Sequence, residues 1–128
     1  MTSRERVKNA LEHKESDRIP FDLGGTIITS ITKEAYINLR SYLGLPEEEV
    51  KLFDHVQQLP YLDEELLKSL HADLRMVQTN YVSGDDQTYS EEEHYYYFYD
   101  RWGSKLRMPK DGGYYFDWVE FPIREISM

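Results

Sequence analysis

Apolar and polar positions recur at three different rhythms along this chain. Val7, Ala10 and Leu11 return at helical spacing with Lys and Glu opposite, and Thr2 with Glu5 has the spacing of a capping box. A first helix is therefore predicted over Thr2–His13. After the polar turn Glu15-Ser16-Asp17, the run Ile19–Leu23 reads as a strand, with Pro20 where no ladder donor is needed. A second helical stripe, Ala35, Tyr36, Leu39, Tyr42 and Leu43, is capped by Thr32 and stopped by Gly44 with Pro46 beyond. Glu47–Gln58 carries a weaker helical pattern. Asp63 caps a short helix through Leu70, with Glu64 and Glu65 in its first turn, and Asp73–Gln78 reads as a second strand.

The rhythm then changes to aromatic and β-prone. Tyr95–Tyr99, Ser104–Met108 and Tyr114–Val119 are joined by Asp100-Arg101-Trp102-Gly103 and by Pro109-Lys110-Asp111-Gly112-Gly113. Turn chemistry at both corners predicts an antiparallel meander over residues 89–123. The whole chain, 1–128, is expected to be a single partial domain.

Charge narrows the partners. Fifteen basic residues stand against 24 acidic ones, a net of -9, with no basic stripe. Neither a nucleic-acid backbone nor an anionic membrane is an expected partner. The Tyr-rich run is flanked by Glu91-Glu92-Glu93 and Asp100, unlike a base-stacking groove. Strand packing or a protein interface is its expected use. The chain has no cysteine, so disulfides, thiolate metal sites and a thiol nucleophile are excluded. The N-terminus lacks the apolar core of a signal peptide, and a cytoplasmic location is expected.

Candidate chemistry gathers where the strands end. Ile19–Leu23 runs into Gly24-Gly25-Thr26, a turn that brings backbone close to whatever lies above it. Ligands of α/β proteins bind at the carboxyl ends of strands. Gly24, Gly25 and Thr26, together with Gln78 and Thr79 at the end of the second strand, are the candidate substrate-binding residues. Positive φ is expected at Gly25. Asp73 and Arg75 share a face by period-two spacing and are read as a buried ion pair. His13, His55, His71 and His94 are dispersed, and none is assigned as a metal ligand.

Taken in order, Thr2-Ser3-Arg4-Glu5-Arg6-Val7, Asp17-Arg18-Ile19-Pro20, Asp22-Leu23-Gly24-Gly25-Thr26 and Asp73-Leu74-Arg75 resemble the start of the uroporphyrinogen decarboxylase superfamily. Asp100-Arg101-Trp102-Gly103 and Phe121-Pro122-Ile123 carry the resemblance over essentially the whole chain. It is closest to the cobalamin-linked methyltransferase and demethylase-like branch. The resemblance implies a (β/α)8 TIM barrel, a fold of about 250 residues. This chain would supply its N-terminal part: a leading helix, barrel strands one and two, and an antiparallel hairpin and meander excursion. Alone it would look α+β.

The branch implies zinc, held by a His-x-Cys pair and a distant Cys in later strands, and a corrinoid carrier. No cofactor is expected on this chain alone, and no catalytic residue is assigned to it. The decarboxylase's arginine-bearing segment corresponds here to Gly24-Gly25-Thr26-Ile27-Ile28, and its strand-two aspartate to Val77-Gln78-Thr79-Asn80. Porphyrinogen decarboxylation is therefore not expected. The function implied is methyl transfer between a corrinoid and a thiol or folate-like acceptor, with this chain forming pocket wall. Expected partners are a second copy or the remaining barrel, and a corrinoid protein for the whole. A freestanding α+β interaction module using the aromatic meander is the alternative, and a decarboxylase fragment a third.

Overall fold

A computed structural model of the chain describes residues 1–77 and 87–123. Among these the order is α1 (Ser3–Leu11), α2 (Lys33–Tyr42), β1 (Leu52–Asp54), β2 (Leu59–Pro60), α3 (Glu64–Ser69), β3 (Ser90–Glu91), β4 (Tyr95–Tyr99), β5 (Lys105–Pro109) and β6 (Asp117–Glu120). The architecture is mixed α+β with antiparallel sheets. No helix among the described residues is long and apolar enough to cross a membrane.

The helix caps follow the sequence. Thr2 accepts the Glu5 N–H while Glu5 accepts the Thr2 N–H, the reciprocal capping box. Thr32 and Asp63 cap α2 and α3 through their side chains. Each helix ends on a left-handed residue with paired back-bonds: His13 (φ 55), Gly44 (φ 68) and His71 (φ 56). Glycine takes this conformation freely, whereas a β-carbon resists it. Both histidine side chains are exposed. His13→Gly and His71→Gly should therefore each stabilise the chain by roughly 0.5–1 kcal/mol. Urea midpoints that rise at constant m would bear this out, and unchanged or lower midpoints would refute it.

The faces of the helices depart from the predicted stripes. Tyr36 is fully buried, but Ala35 and Tyr42 are exposed and Arg40 is buried instead. On α1 the buried residue is Arg6, while Leu11 is exposed. Polar networks explain both cases. The Tyr36 hydroxyl lies 2.5 Å from Glu48 Oε1 and 2.7 Å from Asp63 Oδ2, and Arg40 joins both carboxylates.

The helix predicted over Glu47–Gln58 is instead the β1–β2 hairpin. Asp54 Oδ1 accepts the Gln57 N–H at 2.8 Å and Gln58 turns left-handed at φ 55. Such side-chain bonds offer the backbone an alternative to a helix. Leu52, Phe53 and Leu59 are thereby all buried.

The meander forms as predicted, with β3 added at one edge to give the order β3-β4-β5-β6. Phe98 faces Leu106 across the ladder, and both pack with Phe116 in the inner core, joined by Val56, Tyr89, Tyr96 and Met108. On the other face Arg107 lies 3.9 Å from the Tyr95 ring centroid and Lys105 4.4 Å from that of Tyr97. The Phe116 N–H donates to Val56 O at 2.7 Å, tying the meander to the β1–β2 hairpin.

The two segments read as barrel strands are not ladder-paired. Neither Ile19–Leu23 nor Asp73–Val77 forms a strand, and one backbone bond, from Asp73 N–H to Phe21 O at 2.8 Å, joins them. Pro20 has no N–H, and the Phe21 N–H goes to the Asp73 carboxylate at 2.9 Å rather than to a carbonyl. Their contacts nevertheless advance in step. Arg18 reaches His71 O, Phe21 meets Asp73, and Gly25 lies against Leu74, so the segments run in the same direction. Leu23, Leu67 and Ala72 form the small core beneath them. Their ends are bare: Ile19 is 87% exposed and Val77 92%.

A buried charge cluster joins these segments to α1. The Asp73 side chain is fully enclosed and accepts from both Arg6 and Arg18. Arg6 also holds Asp17 through Nε at 2.7 Å and Nη2 at 2.9 Å. The predicted Asp73–Arg75 pair is thus corrected. Asp73 is buried and paired, but its partners come from α1 and the first segment, and Arg75 turns to Glu64.

Candidate functional site

The Gly-Gly turn is built by its own side chains. Asp22 Oδ1 accepts the Gly25 N–H at 2.8 Å, the Gly24 N–H donates to Thr29 O at 2.9 Å, and the Thr26 and Thr29 hydroxyls bond at 3.1 Å. The positive φ falls on Gly24 (72°) rather than Gly25, which corrects the sequence expectation. Gly25 is constrained by crowding instead. A β-carbon there would meet Leu74 Cβ and the Asp22 carboxyl carbon, each at 3.0 Å. Gly25→Val should accordingly lower stability by about 1–3 kcal/mol. A melting temperature that moves by less than a degree would show that the turn tolerates the bulk.

Gly24 lines a hollow of about 240 Å³ between the turn, the β2 end and the Asp73–Val77 segment. Phe53, Leu62, Leu67 and Met76 give it apolar walls, and Ser30, Arg75 and Glu64 its polar groups. Arg75 grips Glu64 with two bonds, Nε to Oε2 at 2.7 Å and Nη2 to Oε1 at 3.1 Å. Its Nη1 donates to Ala72 O and Leu74 O. The Arg75 bond holds Glu64 below the usual carboxylate range, so the pair is ionised on both sides and neutral in sum.

Of the predicted site residues, the structure brings Gly24 to this hollow. Gly25 is occupied in holding the turn, and Thr26 is exposed in its own hydrogen-bond cluster. Gln78 and Thr79 lie outside the described residues. Sequence reasoning missed Ser30 and Met76, and it misassigned Arg75. Period-two spacing put Arg75 on a strand with Asp73, but Asp73–Val77 is not assigned as a strand, and the spacing could not show that Glu64 competes for Arg75.

A second and larger concavity opens at the corner of the meander. It measures about 1160 Å³ and is lined by Phe53, Val56, Trp102, Trp118, Phe121 and Ile123 among others. Asp100 sets this corner by accepting N–H bonds from Trp102 at 2.8 Å and Ser104 at 2.9 Å. Burial pushes its carboxyl up, but those backbone bonds, with the Ser104 and Trp118 side chains, bring it below the ordinary value. Behind the groove, Tyr89 lies 2.5 Å from His55 Nδ1 and accepts from Gln58 at 3.1 Å. Burial raises the Tyr89 pKa, keeping it a proton-bearing phenol.

The zinc implied by the resemblance does not fit the donors present. The chain has no cysteine, and the described residues contain no group of three or more His, Asp or Glu placed to hold a metal. No family model matches the chain, and no curated protein or solved structure matches it.

Proposed function

We propose that this chain is the N-terminal segment of a barrel of the uroporphyrinogen decarboxylase superfamily, of the corrinoid-dependent methyltransferase type and cytoplasmic. Its part is to form one wall of the substrate pocket. It carries no catalytic residue of its own, and zinc and the corrinoid carrier would be engaged by the remainder of the protein. The observation that carries this reading is the convergence of two co-directional segments on one hollow. Gly24 stands just past the end of the first, and Arg75 and Met76 lie on the second. Barrel enzymes place their sites at that end of their strands. The bare outer side chains Ile19 and Val77 fit segments that adjoin further strands. Under this proposal the chain self-associates or binds the remaining barrel, and neither nucleic acid nor membrane is a partner.

The gene read past codon 128 tests this. A continuation with alternating strands and helices and a His-x-Cys pair is the expected result, and a stop codon directly after Met128 would contradict it.

The aromatic groove favours a second reading, a freestanding interaction module. Trp102 is 71% exposed there, and Trp118, Phe121 and Ile123 are also open to solvent. Exposed aromatics gathered in one patch are a common feature of protein interfaces.

A further inference from the structure

β6 is the end strand of the meander. It pairs with β5 on one side, and among the described residues no further strand pairs with it on the other. The Phe116 N–H, just before β6, donates to Val56 O, so the β1–β2 hairpin meets the chain there and the open edge runs over Asp117–Glu120. Such an edge offers unpaired backbone N–H and C=O groups to another chain. The register fixes what lies on each face of it. Trp118 stands opposite Leu106, on the face that carries Phe98 and the aromatic groove. Asp117 stands opposite Arg107 and Glu120 opposite Lys105, on the face where those cations lie over Tyr95 and Tyr97. A bulge in this ladder brings the two carboxylates to the same face. Asp117, Trp118 and Glu120 are all exposed.

β5 shows which strand suits these faces. Its Lys105-Leu106-Arg107 sets cations against both carboxylates and an apolar residue against Trp118. A strand on the open edge would meet the same two faces, and side chains directly opposite one another interact most strongly. Lys105 and Arg107 would then lie two strands away, about 10 Å at the usual strand spacing and beyond a screening length of about 8 Å. Lys105 is also held by Glu92 at 2.6 Å. On the groove side Asp54, Asp100, Arg101 and His55 mix both signs of charge, so the apolar Trp102, Trp118 and Phe121 decide what fits. A second copy of β6 would instead set carboxylate against carboxylate, and the net charge of -9 adds to that repulsion.

We propose that the open edge of β6 takes up an extended segment of a partner protein in which basic and apolar residues alternate. Its backbone pairs with β6, its basic side chains meet Asp117 and Glu120, and its apolar side chains enter the groove beside Trp118. The proposal rests on the reading of the groove as an interaction surface and names the chemistry of the partner. Its test reads β6 of this chain, whereas the gene downstream tests the barrel reading, so either can fail without the other.

The experiment is an amide NMR titration of the whole chain with a capped hexapeptide in which lysine and leucine alternate. Saturable shifts are expected over Asp117–Glu120 and at the Trp102 and Trp118 indoles, and binding should weaken as salt rises. The same residues in block order, or glutamate in place of lysine, should bind at least about tenfold more weakly. Alternate N–H groups of a strand point to opposite edges. N-methylation of the lysine amides and of the leucine amides should therefore differ, one abolishing binding and the other sparing it. Asp117→Asn combined with Glu120→Gln should weaken the lysine peptide about threefold to tenfold, the worth of two exposed cross-strand pairs. Absence of saturable shifts would overturn the proposal. So would block-order or glutamate peptides binding equally well, or the two methylated peptides behaving alike. Shifts confined to the groove would overturn the strand pairing while leaving the groove an interaction surface. Concentration-dependent shifts on β6 without peptide would assign the edge to a second copy instead.

Discussion

Asp73→Ala should be the most damaging single change in the described part of the chain, costing about 3–5 kcal/mol. The Asp73 side chain is fully enclosed, and it is the common acceptor for Arg6, Arg18 and the Phe21 N–H. Its removal leaves the Phe21 N–H without its acceptor and Arg6 with only Asp17 and the Met1 carbonyl. It also frees the two segments from the clamp that aligns them. Asp73→Asn keeps an acceptor and loses the charge, so its cost should fall between wild type and Asp73→Ala. Urea unfolding at neutral pH is the measurement, and a loss below about 1 kcal/mol would contradict the clamp.

The same clamp predicts the acid response. Burial pushes the Asp73 carboxyl up, but the Phe21 backbone bond and the bonds from Ser3, Arg18 and Arg6 bring it down to about 2. The bond from Arg6 holds Asp17 well below the usual range as well. A carboxyl depressed by folding contributes fully above its unfolded value, near 3.8, and that contribution fades as pH falls toward 2. Stability should therefore decline between about pH 4 and pH 2, and the decline should be shallower in Asp73→Asn.

Arg40→Met should cost about 2–4 kcal/mol at pH 7. Arg40 is the buried cation between Asp63 and Glu48, and its Nη2 also donates to Pro46 O at 2.7 Å. Without it, two carboxylates converge on one Tyr36 hydroxyl, which has a single proton to donate. Burial and those two carboxylates raise the Tyr36 pKa beyond the ordinary phenol value, so the hydroxyl stays protonated. The like charges repel only while ionised. The deficit of Arg40→Met relative to wild type should therefore be largest near neutrality and shrink in acid, as Asp63, which the Leu66 N–H, Tyr36 and Arg40 hold low against its burial, takes up a proton. A deficit that does not change with pH would mean lost packing rather than lost charge compensation. Partial exposure of Glu48 places the expected cost below that of Asp73→Ala.

How much of this was legible depended on how local the deciding interaction was. The capping box at Thr2 and Glu5, the caps at Thr32 and Asp63, and the Gly44 stop each depend on residues within one turn, and all were readable. The meander was readable because Asp100 and Gly103 at one corner and Gly112 at the other fix its turns locally. The β1–β2 hairpin was not. Its charged start mimics a helix, and the Asp54 turn is worth little until Phe53 and Leu59 find a core to enter. Arg6 and Arg40 were invisible as core residues because charge patterning places such side chains on the solvated face. What buries them is Asp73 in one case and Asp63 in the other, carboxylates 67 and 23 residues away in sequence. At the site, local chemistry marked Gly24. Ser30, by contrast, gives no sequence signal, since only the fold reveals that its buried hydroxyl has no partner among the described residues.

The central claim is that the Ile19–Leu23 and Asp73–Val77 segments form the opening of a larger sheet, and sedimentation velocity tests it most directly. Their bare residues, Ile19 and Val77, lie on segments that have no ladder partner among the described residues. Strand edges in that state recruit another chain. The wild-type chain should associate in the micromolar range, burying on the order of 1,000 Å² or more. Val77→Lys should weaken that association without lowering the melting temperature, because Val77 is 92% exposed and packs on little. A wild-type chain that sediments as a monomer throughout this range, with a single cooperative melt, would contradict the claim and leave the freestanding interaction module as the better account.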